Sequence, residues 1–317
     1  MAPQRNKRRS LAKYSSAVLR KSGVLVSFSF SQSFFSIKKL RRGKLYASNL
    51  EKSTYFWEMN NAGSPLIAGI ISQTNLVQAE SELGGVIHSR LLLCPVLEIR
   101  YDLFQNVKDW PLLAGRVRAL HPTAKIIGTI RLKRDGGALE DSIVKERLWL
   151  WESILSADVV PLWIDLELFA LGPEALLLKE MASAKGSRLF ISMHDFLKIP
   201  TTPELELLAK RAIDFGACGV KVAAMSHSPG DARPLYDFLR RIESQFELRA
   251  AFAMGVSGSV SRVWSLAMGA NLTYGSISDV LVPGLLSAKK MTQAIQFLRE
   301  CKTEEQMSLF LEEIRES

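Results

Sequence analysis

Lys221 is the residue whose type and setting point most directly to chemistry. It interrupts the apolar run Gly219-Val220-Lys221-Val222-Ala223-Ala224-Met225, a pattern that turns its side chain toward the interior of a sheet covered on both faces. A free lysine has a pKa of about 10.4, so only roughly one in a few thousand is an unprotonated nucleophile at neutral pH. Burial and neighbouring guanidinium charges lower that value, which is how a lysine becomes able to form a Schiff base. Arg100, Arg131 and Arg262 are expected to supply those charges. The competing reading has Lys221 snorkelling to solvent, or paired structurally with Glu98 or Glu167.

His194 heads the sequence His194-Asp195-Phe196. A lone histidine at a strand end is commonly structural. Beside a strand that carries a buried lysine it becomes a candidate proton shuttle, which imine chemistry requires. Three arginines around one site suit an anionic, hydroxylated substrate through bidentate carboxylate contacts, with surface salt bridging as the plainer alternative. Gly136-Gly137 and the Gly255/Gly258 pair are weak as phosphate-loop signals, and close-approach turns explain them as well.

The elements that must position these residues alternate. Strand-like runs fall at 66–71, 93–100, 125–131, 162–167, 189–194, 219–223, 249–254 and 271–275, rich in Val, Ile, Leu and Phe. Helical spacing fills the intervals at 107–120, 139–155, 173–184, 203–215, 231–245 and 259–268. Eight such units over about 250 residues predict an α/β protein built as a (β/α)8 TIM barrel. The rival, an open doubly wound sheet, usually carries a phosphate loop after its first strand. Here that strand runs into Gln73-Thr74-Asn75 with no glycine cluster. In a barrel the carboxyl ends of the strands gather the site, and the charged residues fall there: Glu98, Arg100 and Asp102, Arg131 and Asp135, Asp165 and Glu167, His194 and Asp195. Charges at the ends of apolar strands cost desolvation energy unless they pair or work.

Charge divides the chain in two. Of 41 basic side chains, 12 lie in residues 1–50, which hold no acidic residue; the remaining 29 face 32 acidic ones, a charge of −3. No nucleic-acid partner is therefore expected for the barrel. Residues 1–58 read as a basic, Ser-rich extension and 59–317 as the catalytic barrel. Three explanations compete for the extension: an organellar transit peptide, an arm touching nucleic acid or anionic lipid, or translated upstream sequence with Met59 as the start. Cys94, Cys218 and Cys301 form no CxxC pair, and the four histidines show no HxxxH spacing. A reduced, cytoplasmic protein without a zinc site is expected. The longest apolar stretches are too short to span a bilayer.

Taken in series the motifs resemble type I 3-dehydroquinate dehydratase. The matching pieces are Glu98-Ile-Arg100-Tyr-Asp102, Arg131 with Gly136-Gly137, Ile164-Asp165-Leu-Glu167-Leu-Phe169, Ser192-Met-His194-Asp195-Phe196, Lys221-Val-Ala-Ala-Met225, and Met254-Gly255 followed by Ser261-Arg262. The resemblance implies a hydro-lyase of the shikimate pathway, with no cofactor and no metal. Lys221 would form an imine with the C3 ketone of 3-dehydroquinate. His194 would remove the C2 proton and protonate the departing C1 hydroxyl. Asp135 stands where the family has a glutamate that positions this histidine. Glu98, Arg100 and Arg131 would hold ring hydroxyls, and Arg262 the carboxylate. A homodimer is compatible with the family. The chain departs from the pattern in three places. Asp135 is one methylene shorter than the glutamate. The lid after strand 8 reads Leu281-Val282-Pro283-Gly284-Leu285 in place of Ser-Ala-Pro-Gly-Gln. The N-terminal hairpin before strand 1 is not recognisable. These departures leave two alternatives: a diverged paralogue acting on a more apolar keto acid, and a non-catalytic barrel with a basic binding arm.

Overall fold

The computed structural model describes residues 17–21, 24–29, 36–39, 45–48, 65–228, 230–278 and 284–300, with 306, 309 and 310. Two compact units result. The smaller contains four short strands, Ala17–Lys21, Val24–Ser29, Ser36–Lys39 and Leu45–Ser48, paired antiparallel in sequence order. The sequence reading placed no element there. Met59 and the lid residues Leu281, Val282 and Pro283 lie outside the described residues.

The larger unit is the expected barrel. Its strands are β1 (Leu66–Ile71), β2 (Val96–Arg100), β3 (Lys125–Thr129), β4 (Trp163–Glu167), β5 (Arg188–Asp195), β6 (Gly219–Met225), β7 (Leu248–Met254) and β8 (Leu272–Gly275). All pair in parallel, in the order β7-β6-β5-β4-β3-β2-β1-β8. The helices between them are α1 (Gln73–Ser81) and α2 (Val86–Leu91) after β1, then α3 (Trp110–Leu120), α4 (Val144–Leu155), α5 (Pro173–Ala184), α6 (Thr202–Phe215), α7 (Arg233–Arg241), α8 (Ser261–Ala267) and α9 (Ala288–Glu300). Among the described residues no helix is long and apolar enough to cross a membrane.

Local chemistry sets the boundaries. Helix α6 starts where the Glu204 carboxylate accepts the Thr201 N–H at 2.6 Å, and it stops at Gly216 with φ 73°. Helix α7 is shorter than the predicted 231–245. Its expected first residue, Asp231, instead accepts the backbone N–H groups of His227 and Ser228, both at 2.8 Å, and so folds the preceding loop.

Alternation along the strands sorts the barrel interior into layers. The lower interior is apolar, built from Ala68, Val96, Ile127, Trp163, Phe190, Leu248, Ala250 and Leu272. One step higher the even strands contribute Glu98, Asp165, Lys221 and Tyr274, and the chemistry begins.

The seam between β7 and β8 is closed without a ladder. Asn271 bridges its lower end, donating its N–H to the Arg249 carbonyl (3.1 Å) and accepting the Arg249 N–H on Oδ1 (2.8 Å). Higher up, hydroxyls of α8 satisfy the open edge of β7. Ser261 accepts the Ala253 N–H at 2.7 Å, and Ser265 donates to the Ala251 carbonyl. Ser261→Ala leaves a buried amide unpaired, at a cost of about 1–3 kcal/mol. The urea midpoint of this variant is expected to fall. A midpoint equal to that of the unaltered protein would show that the seam is held otherwise.

Candidate active site

Lys221 points into the barrel and is 5% exposed. Its Nζ lies 3.1 Å from Glu98 Oε2 and 3.2 Å from Asp165 Oδ2, and 4.3 Å from the centre of the Tyr274 ring. The groups that touch it are thus the other three members of its layer. Of the two expected surroundings the structure shows the pairing with Glu98 and corrects the other: the charges in contact with Lys221 are carboxylates, not the guanidiniums of Arg100, Arg131 and Arg262. Burial pushes Glu98 upward in pKa, but Lys221 and Arg131 outweigh it against the opposing charge of Asp165 and hold Glu98 below the usual carboxylate value. The Tyr274 hydroxyl is near enough to act on Glu98 yet lacks hydrogen-bond geometry to any described residue.

Arg131 follows β3 and is 2% exposed. Its Nη2 binds Asp165 at 2.6 Å and its Nη1 binds Ser192 Oγ at 2.7 Å, while Ser192 donates to Asp165 Oδ1 at 2.5 Å. The backbone that carries Arg131 is pinned on both sides. Asp102 accepts the Arg131 N–H at 3.2 Å, Glu167 accepts the Leu132 N–H at 3.1 Å, and Arg147 of α4 donates to the Ile130 carbonyl (3.2 Å) and to Glu167 (2.6 Å). Arg100 is forked onto Asp102 at 2.9 and 2.7 Å.

His194 stands two residues above Ser192 on β5, and Ser192 is the register partner of Lys221. Its Nδ1 lies 2.8 Å from Asp135 Oδ2, so the shorter side chain reaches the imidazole. The turn makes up the missing methylene. Lys133–Asp135 form one 3-10 turn, ended by Gly136 at φ 80°. A Cβ on Gly137 would meet the Arg131 carbonyl at 2.0 Å, so only glycine lets the turn fold this tightly onto β3. Burial pushes Asp135 up to about 7. Burial also holds His194 well below its ordinary value, helped by Arg131 and Lys221. The imidazole is therefore a neutral base at neutral pH.

Arg262 is set apart. Its guanidinium stacks 4.0 Å from the centre of the Phe252 ring, and Nε donates to the Gly284 carbonyl at 3.1 Å. Nη1 is buried with no hydrogen-bond partner among the described residues. Burial pulls its pKa down to about 10, which leaves it charged at neutral pH. Leu285, from the predicted lid, packs against the inner apolar cluster.

The structure thus gathers Lys221, Glu98, Arg131, Asp135 and His194 into one network, with Arg100 at its edge and Arg262 on the opposite, apolar wall. Asp165, Ser192 and Arg147 were not assigned from sequence. Asp165 and Ser192 were visible as polar residues at strand ends. Arg147 had a signal too, because it shares a helical stripe with the buried Trp151, Ile154 and Leu155. Among the described residues no three His, Cys, Asp or Glu side chains cluster as metal ligands.

The known proteins similar to this chain include several 3-dehydroquinate dehydratases. The chain is 27% identical over 208 residues to the 3-dehydroquinate dehydratase of Klebsiella pneumoniae (strain 342), covering 64% of this chain and 82% of that protein. It is 28% identical over 211 residues to the Listeria monocytogenes enzyme of the same name, covering 65% and 82%. The crystal structure of type I 3-dehydroquinate dehydratase from Clostridium difficile superposes with a TM-score of 0.67 at 23% identity, covering 76% of this chain and 94% of that one. The family model described as Type I 3-dehydroquinase matches residues 76–302, which include every side chain of the network, and the chain belongs to that family.

Proposed function

We propose that the chain dehydrates 3-dehydroquinate to 3-dehydroshikimate through an imine between Lys221 and the C3 ketone. One observation carries this reading: a buried lysine at the centre of the barrel, with a neutral histidine held by a carboxylate one layer above it. The relatives' shared name supports the substrate. Nη1 of Arg262, without a hydrogen-bond partner among the described residues, supports a carboxylate on the substrate, because a buried guanidinium is costly unless an anionic group completes it. The free thiols of Cys94 and Cys218 are compatible with a cytoplasmic setting.

In this reading the imine nitrogen is positive and acts as the electron sink. His194 takes the C2 proton, the electron pair moves toward the nitrogen, and His194 returns a proton to the departing C1 hydroxyl. Asp135 fixes the tautomer by accepting the Nδ1–H, which leaves Nε2 for substrate. Asp165 and Arg131 stay charged beneath, a preorganised field for the developing charge.

Borohydride added during turnover should give a stable adduct on Lys221, located by peptide mass. Lys221→Met should abolish both adduct and turnover. Active protein that gives no mass increase would rule out the imine. His194→Ala should still trap ligand while losing about 10²–10⁴-fold in elimination rate; turnover at the unaltered rate would move the proton transfer to another group.

The pH dependence follows from Asp135. The ionised form of Asp135 is the strong acceptor of the Nδ1–H, and its pKa is raised to about 7, so kcat/KM should fall as pH drops through that region. Asp135→Asn should lower kcat and remove this acid limb. An acid limb unchanged in the variant would assign the titration elsewhere.

A further inference from the structure

An ammonium must lose a proton before it can attack a ketone, and Lys221 Nζ touches two carboxylates that could take it, Glu98 and Asp165. They are not equivalent acceptors. Asp165 Oδ2 also binds Arg131 at 2.6 Å, and Oδ1 accepts from Ser192 at 2.5 Å. A proton on Oδ2 would displace a charge-assisted bond and leave the buried Arg131 guanidinium only its longer carboxylate contacts, to Asp135 at 3.5 Å and Glu167 at 3.7 Å. Glu98 Oε1 accepts only a neutral donor, the Thr129 hydroxyl at 2.9 Å, and Oε2 has Lys221 as its partner among the described residues. A proton there dissolves only the ion pair that vanishes when the ammonium becomes an amine.

The charges around Glu98 favour the same choice. Lys221 of β6, Asp165 of β4, Arg131 after β3, Arg100 of β2 itself and the Tyr274 phenol of β8 all act on it. Lys221 is the largest influence holding it ionised against burial. When Lys221 is neutral that attraction is gone, while burial and the negative Asp165 remain to favour the acid. His194 is a poorer candidate for the same proton: it pairs in register with Ala223, one layer above Lys221, and its Nδ1 is committed to Asp135.

We propose that Glu98 ferries the Lys221 proton during imine formation, with Asp165 as the fixed counter-ion. The inference rests on reading Lys221 as the imine-forming residue. Glu98 Oε2 takes the first ammonium proton. The freed lone pair forms the C–N bond as the carbonyl π pair moves to oxygen, and the second nitrogen proton passes to that oxygen to give the carbinolamine. Glu98 then returns its proton to the hydroxyl, the C–O bond breaks, water leaves, and the nitrogen lone pair closes the C=N bond. Ammonium plus ketone has become iminium plus water, and Glu98 is a carboxylate at both ends.

The test is rapid mixing with 3-dehydroshikimate, borohydride quenching at successive times, and mass measurement of the Lys221 peptide between pH 6 and 9. The unaltered protein should build the adduct at a rate that is flat across this range, because the proton never leaves the site. Glu98→Gln keeps an acceptor for Thr129 but not the ferry. Its adduct should form about 10²–10⁴-fold more slowly, and its rate should rise with pH as the proton is lost to solvent. Glu98→Asp should recover part of the rate with a flat profile. Adduct formation by Glu98→Gln at the unaltered rate, or slowed with a flat profile, overturns the ferry. If that variant does not fold, a pH-dependent rate in Glu98→Asp overturns it instead. Failure of the unaltered protein to give any adduct would sink the imine reading itself, a separate result.

Discussion

The ion pair between Arg131 and Asp165 is the interaction on which the rest of the barrel mouth depends. Both groups are buried, and a buried ion pair stabilises little on balance. Breaking one from a single side, however, typically costs about 3–5 kcal/mol, because the remaining charge has no solvent. Each must therefore be held in place by something else. Asp102, Glu167 and Arg147 fix the backbone around Arg131, and Ser192 occupies the second oxygen of Asp165. The segments after β2 and β3, strands β4 and β5, and helix α4 are thereby locked to a common point. Lys221 can be buried as an ammonium because that point already presents an oriented carboxylate.

The same economy explains why the two walls of the site differ. On the β2–β5 side each of Arg100, Arg131 and Arg147 has a carboxylate in hydrogen-bond contact. On the β7–β8 side Phe252, Tyr274, Met254 and Leu285 make the wall apolar, and Arg262 stands there with a ring beneath it and a backbone carbonyl beside it. A polar, hydroxylated face of a ligand fits the first wall, and an anionic substituent fits the second. Leu285 packs on the inner apolar cluster and offers no side-chain hydrogen bond.

The barrel was legible because its strands are apolar on both faces and its helices are amphipathic, so strand positions came within a few residues. The charged strand ends were legible for the same reason: Glu98, Arg131, His194 and Lys221 break an otherwise apolar pattern. Which charge touches which was not legible from strand ends alone. Glu98, Asp165, Lys221 and Tyr274 share a layer because they sit at equivalent heights on even strands, and that follows from register. Cross-strand register depends on barrel shear, which no single strand encodes. Hence strand ends left guanidiniums and a pairing with Glu98 or Glu167 as competing surroundings for Lys221, where Glu98 and Asp165 stand. The hydroxyls of Ser261 and Ser265 were equally hidden, since nothing local marks a serine that completes another strand's edge.

Carboxylates, not guanidiniums, touch the lysine that the proposed imine chemistry uses. They are consistent with imine chemistry if the charge is needed after the attack as well as before it. In the proposed chemistry the iminium nitrogen is positive, sits where the ammonium sat, and needs the same counter-ion before the C2 proton leaves and again once the C1 hydroxyl has gone as water. A site that activated lysine by surrounding it with guanidiniums would destabilise that intermediate by the same repulsion. In that proposed chemistry Asp165, tied down by Arg131 and Ser192, would serve both cations without moving. Glu98 is held less tightly, accepting the Thr129 hydroxyl while the Tyr274 phenol stands nearby without hydrogen-bond geometry, so its carboxyl is the one that the proposed chemistry leaves free to change its protonation state between them.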